Sequence, residues 1–66
     1  MQILLNGELK DIAEAISLQQ LIENLELKQE RVAVELNRFV VKRKDWSTVV
    51  LQDGDQLEVV HFVGGG

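Results

Sequence analysis

Apolar positions recur along this chain with two different periods. Residues 2–6 alternate weakly, with Ile3 and Leu5 on one face and Gln2, Leu4 and Asn6 on the other, the period of a strand. Asn6-Gly7 follows, a pair suited to a two-residue hairpin turn because both residues tolerate positive φ. Leu9 to Ile12 then form the returning strand. At Ser17 the period changes. Leu18, Leu21, Ile22 and Leu25 fall at i, i+3, i+4 and i+7, with Gln19, Gln20, Glu23 and Asn24 between them. Ser17 followed by Gln20 reads as a capping box, so a helix is predicted over about 18–26. Val32, Val34 and Leu36 alternate with Ala33, Glu35 and Asn37 as a third strand, and Asn37-Arg38 turns into Phe39-Val40-Val41. A charged stretch around Trp46 reads as a loop or short helical turn, with Trp46 capping the edge of the core. Asp53-Gly54-Asp55 marks a turn, and Leu57 to Phe62 is the last strand.

One helix and one sheet each need their apolar face covered. The economical solution is an α+β fold, a mixed sheet curled around the single helix. The first and last strands are then adjacent and central. Their wide separation in sequence allows them to run parallel. On the last strand Leu57 and Val59 share one parity, and Glu58, Val60 and Phe62 the other. If Glu58 faces water, Val60 and Phe62 either form an exposed docking patch or lie under a loop.

The chain has 66 residues, enough for one small domain over 1–66. A domain of this size buries only about 60% of the surface exposed by its unfolded chain. Little room remains for an enclosed active site. With no cysteine and one histidine, a disulfide scaffold, a cysteine zinc site and a cysteine nucleophile are excluded. The net charge of −4 argues against general nucleic-acid binding. No apolar run approaches the roughly 20 residues of a membrane span, and the first six residues do not read as a signal peptide, so a cytoplasmic location is expected. Against the acidic background, Arg38, Lys42, Arg43 and Lys44 fall close together in sequence and could attract an acidic partner or a phosphate. Asp53 and Asp55 could bind a hard cation, but no further acidic ligands follow at calcium-loop spacing, and a simple turn is favoured. His61 lacks a nucleophile placed near it by any motif, which favours a spacer or contact residue.

The chain closes on Gly64-Gly65-Gly66 directly after an apolar strand. Glycine has no side chain, so such a tail can thread a narrow channel. A flexible tail is therefore expected over 63–66. Three extended residues reach only about 10 Å, so any enzyme acting on the terminus must take the globular body closely. Val60, Phe62 and the four cations are the candidates for that contact. The reactive group would be the Gly66 carboxylate, ionised at neutral pH and a poor electrophile. A mixed anhydride with AMP supplies a leaving group that a sulfur nucleophile can displace. The chain has no P-loop-type glycine loop. No cofactor is expected on this chain, and ATP and Mg²⁺ would be bound by a partner enzyme.

These residues together resemble the ThiS-type sulfur carrier proteins of thiamine biosynthesis. The matching pieces are Met1-Gln2-Ile3 with Asn6-Gly7, Val32 to Asn37, Val41, Arg43 and Trp46, Leu51 with Asp53-Gly54-Asp55, Leu57 to Val60, and Val63 to Gly66. The resemblance implies a ubiquitin-like β-grasp fold. It also implies an adenylating enzyme, related to ubiquitin-activating enzymes, that activates Gly66. Sulfur from a cysteine-derived donor would then give a thiocarboxylate that supplies thiazole synthase. The chain itself would be a protein co-substrate and not an enzyme. The diglycine function carries onto Gly65 and Gly66, while Gly64 matches a variable position. Two related readings stand beside it: the small subunit of molybdopterin synthase and a ubiquitin-like protein modifier. A plain interaction module with a glycine tail is the alternative of another class.

Overall fold

The computed structural model describes residues 1–62, and Val63, Gly64, Gly65 and Gly66 lie outside the described residues. Strands β1 (Gln2–Leu5) and β2 (Glu8–Asp11) form an antiparallel hairpin. Asn6 and Gly7 both adopt positive φ, 51° and 84°, the backbone that a tight two-residue turn between twisted strands requires. Helix α1 (Leu18–Asn24) follows, then β3 (Val32–Leu36), β4 (Phe39–Val41) and β5 (Gln56–His61). Short 3₁₀ turns at Gln29–Arg31 and Arg43–Asp45 lead into β3 and out of β4.

The sheet order is β2-β1-β5-β3-β4. The last strand is the middle of the sheet, parallel to β1 and antiparallel to β3. This is the β-grasp arrangement, a mixed sheet holding one main helix. Ile3, Val34 and Leu57 from the sheet, Leu18, Leu21 and Ile22 from the helix, and Ile16 and Leu51 from loops form one core.

The helix starts where its capping box places it. Ser17 Oγ accepts the Gln20 N–H at 3.1 Å, and Gln20 Oε1 accepts the Ser17 N–H at 2.9 Å. The two N–H groups before Gln20 are also satisfied: Leu18 donates to the Val49 carbonyl and Gln19 to the Trp46 carbonyl. The helix ends two residues before the expected Glu26. Glu26 takes a left-handed φ of 58°, which breaks the helical turn, and Leu25 and Leu27 fold back onto the core.

Trp46 differs from its expected place at the rim. It is 1% exposed and belongs to the core, because the turn at Arg43–Asp45 tucks it inward. Its indole N–H donates to the Val41 carbonyl at 3.0 Å, so the one polar atom of the ring is satisfied.

Candidate functional site

The last described strand precedes the glycine residues in sequence, so the candidate site is built around the far end of β5. Leu57 is buried and Val59 half-buried, whereas Val60 and Phe62 are 54% and 56% exposed. The exposed alternative therefore holds, and no loop among the described residues covers these two side chains. The ladder to β3 pairs Ala33 with Val60 and Val32 with His61. It continues past the strand, where the Phe62 N–H donates to the Arg31 carbonyl at 2.7 Å. Arg31 thus sits beside Phe62 at the point where the described chain ends.

On the other side β1 stops early. Only Leu4 and Leu5 pair with β5, because Asn6 turns the chain away. The side chain of Asn6 continues the ladder in place of a strand. Its Oδ1 accepts the Val59 N–H at 2.7 Å and its Nδ2 donates to the Val59 carbonyl at 3.2 Å. Asn37 performs a similar task at the start of the strand. Its Oδ1 accepts the Gln56 N–H at 2.9 Å, and its Nδ2 donates to Asp55 Oδ1 at 3.1 Å. Both asparagines were legible as turn residues, but their second role depends on which strand lies beside them.

The Asp53-Gly54-Asp55 carboxylates are engaged in the same framework. Asp53 Oδ1 accepts the Gln2 N–H and Asp55 Oδ2 the Gln52 N–H, each at 2.8 Å. Gly54 takes φ 86° and donates its N–H to the Gln2 carbonyl at 2.7 Å. The motif is a turn that ties the start of β1 to the segment entering β5. Among the described residues, no group of three or more His, Asp or Glu side chains is placed to hold a metal ion. His61 is exposed at the end of β5.

The four cations do not form one patch. Arg38 occupies the tip of the β3–β4 turn at φ 73°, level with the beginning of β5. Lys42 leaves β4 one residue past the Val34–Val41 pair, level with Ala33 and Val60. The three residues of β4 hold Arg38 and Lys42 roughly 13 Å apart at about 3.3 Å per residue. Lys42, Arg43 and Lys44 remain together toward the exit end of β5. All four side chains are exposed, and among the described residues none has a carboxylate within 4.0 Å. Glu35 and Glu58 face each other across β3 and β5, both exposed, between Val40 on one side and Val60 farther along. The sequence shows neither this pair nor Arg31 as site residues, since only the strand register brings them there.

The described part of the chain has no helix long and apolar enough to cross a membrane. Three of its surface depressions lie along α1 and the edge strand β2. What the geometry offers is a central strand that ends beside the exposed side chains of Val60 and Phe62.

Comparison with known proteins agrees with this architecture. The ThiS family model matches residues 3–66. The chain is 33% identical over 66 residues to the sulfur carrier protein ThiS of Escherichia coli, covering 100% of both chains. It is 36% identical over 63 residues to the sulfur carrier protein ThiS of Bacillus subtilis, covering 94% of this chain and 96% of that protein. It is also 48% identical over its full length to a thiazole synthase of Magnetococcus marinus, of which it spans only 20%. A second thiazole synthase, from Paramagnetospirillum magneticum, is likewise matched over 20% of its length. The crystal structure of the thiamine biosynthesis protein ThiS from Geobacter metallireducens superposes with a TM-score of 0.85 at 35% identity, covering 100% of both chains. By its family match, its full-length relatives and its fold, the chain belongs to the ThiS family.

Proposed function

We propose that this chain is a sulfur carrier of thiamine biosynthesis, acting as a protein co-substrate through the carboxylate of Gly66. The observation that carries the reading is the family match running through the terminal glycines, on a fold whose central strand leads directly to them. A partner enzyme, itself binding ATP and Mg²⁺, adenylates Gly66. The carboxylate oxygen attacks the α-phosphorus and pyrophosphate leaves. A hydrosulfide-level nucleophile, its sulfur drawn ultimately from cysteine, then attacks the acyl carbon and gives up its proton to solvent. The C–O bond to AMP breaks, AMP departs with the electron pair, and a thiocarboxylate remains. That thiocarboxylate delivers sulfur to a thiazole synthase. The match of the whole chain to 20% of two proteins named thiazole synthase supports that acceptor.

The described chain contributes recognition and not chemistry. Four residues separate Phe62 from the terminus and span at most about 14 Å. Docking therefore falls on Val60 and Phe62, with Lys42, Arg43 and Lys44 nearby. Arg38, at the opposite end of β4, stands outside this group.

The test is an intact-mass measurement after incubation with an adenylating enzyme, ATP and a sulfur donor. Replacement of one terminal oxygen by sulfur is expected. An unchanged mass, under conditions where the Escherichia coli carrier reacts, would overturn the reading. Deleting Gly66 should abolish the mass change and leave the melting temperature unchanged.

A further inference from the structure

Two cations from separate parts of the chain lie on the β3–β4 side of the β5 exit. Arg31 lies beside Phe62, held there by the 2.7 Å bond from the Phe62 N–H to its carbonyl. Lys42 leaves the sheet level with Val60, across Ala33. Both are exposed, and neither has a carboxylate within 4.0 Å among the described residues. The chain as a whole carries a charge of −4, with 11 acidic residues against 7 basic ones. Cations left unpaired at the place where the terminus is presented run against that background.

We propose that Arg31 and Lys42 form a cationic pair on the β3–β4 side of the β5 exit, and that it docks against an acidic rim at the mouth of the adenylating enzyme's tail-receiving channel. This inference rests on the carrier reading above and adds the chemistry of the partner's surface. The argument is one of reach and charge complementarity. At most about 14 Å of chain separates Phe62 from the terminus, so an enzyme closing on Gly66 brings its surface to a distance from the cations comparable with the Debye length of roughly 8–10 Å. Carboxylates on such a rim attract them during approach and gain strength as the Val60 and Phe62 contact excludes water. A rim of the opposite sign would repel the carrier at the step where its short tail allows no alternative approach.

The test is stopped-flow association of the full chain with the adenylating enzyme, comparing Arg31→Glu, Lys42→Glu and Lys10→Glu. Lys10 lies on edge strand β2, so its reversal changes net charge equally at a distant place. Substitution at Arg31 leaves the backbone bond to Phe62 intact, and circular dichroism checks that each variant is folded. At about 0.05 M salt, Arg31→Glu and Lys42→Glu should each associate about fivefold more slowly than Lys10→Glu. The difference should shrink below about twofold at 0.5 M salt, roughly, where screening is strong. Arg31→Lys should retain the wild-type rate. Equal rates for Arg31→Glu, Lys42→Glu and Lys10→Glu, with wild-type Gly66 still adenylated, would overturn the cationic pair alone. A wild-type chain that binds but is never adenylated would overturn the carrier reading itself.

Discussion

Replacing Asn6 by glycine should loosen the exit half of β5 while leaving the β1–β2 turn in place. Glycine accepts the left-handed backbone that Asn6 adopts at φ 51°, so the turn survives. What disappears is the pair of bonds to Val59, at 2.7 and 3.2 Å. Each such bond contributes about 0.5–1.5 kcal/mol net. Asn6 is exposed, so water replaces part of the loss, and the lower half of that range applies, about 1–2 kcal/mol for the two. Glycine adds about 0.5 kcal/mol through the greater freedom of the unfolded chain. The total, about 1.5–2.5 kcal/mol, is a large share of the roughly 3–10 kcal/mol expected for a domain of this length. It corresponds to a fall in melting temperature of about 6–20 °C. The single tryptophan, Trp46, is 1% exposed and reports urea unfolding by fluorescence. Amide exchange at Val59 should accelerate more than at the β1–β2 hairpin. A loss below about 0.5 kcal/mol at unchanged urea slope, or unaltered exchange at Val59, would refute the idea that Asn6 serves as a surrogate strand.

Three further outcomes follow from other parts of the molecule. Glu35→Lys converts the like-charged pair with Glu58 into an opposite-charged one and should stabilise the fold by about 0.2–1 kcal/mol, less in high salt; a destabilised variant in thermal melts would contradict it. Glu26→Gly relieves the left-handed backbone after α1 and should raise stability by about 0.5–1 kcal/mol in urea titrations, with a decrease counting against the strain argument. Reversing both Arg43 and Lys44 to glutamate should slow association with the adenylating enzyme several-fold at low salt, whereas an unchanged rate would leave them as solvated residues.

Much of the fold was legible because each element carries its own local signal. The Asn6-Gly7 turn, the Ser17–Gln20 capping box and the alternation at Val32–Leu36 depend on neighbours only a few residues away. Trp46 was misplaced because its burial depends on a turn that folds it under the sheet, and nothing within its own segment encodes that depth. The four cations read as one group because they are close in sequence. An extended strand converts four residues of sequence into roughly 13 Å of separation, which removes Arg38 from the others.

The sequence by itself determined the order and type of the elements, the parity that separates Val60 and Phe62 from Leu57 and Val59, and the glycine terminus that the family match includes. Periodicity and turn chemistry are short-range properties, so they can be read without a partner strand. The tertiary structure decided what surrounds the end of β5. Strand register is set by cross-strand hydrogen bonds between residues up to 53 positions apart, as between Asn6 and Val59. That register puts Arg31 beside Phe62 and sets Glu35 against Glu58. On the carrier reading proposed above, those long-range pairings determine the surface that a partner meets.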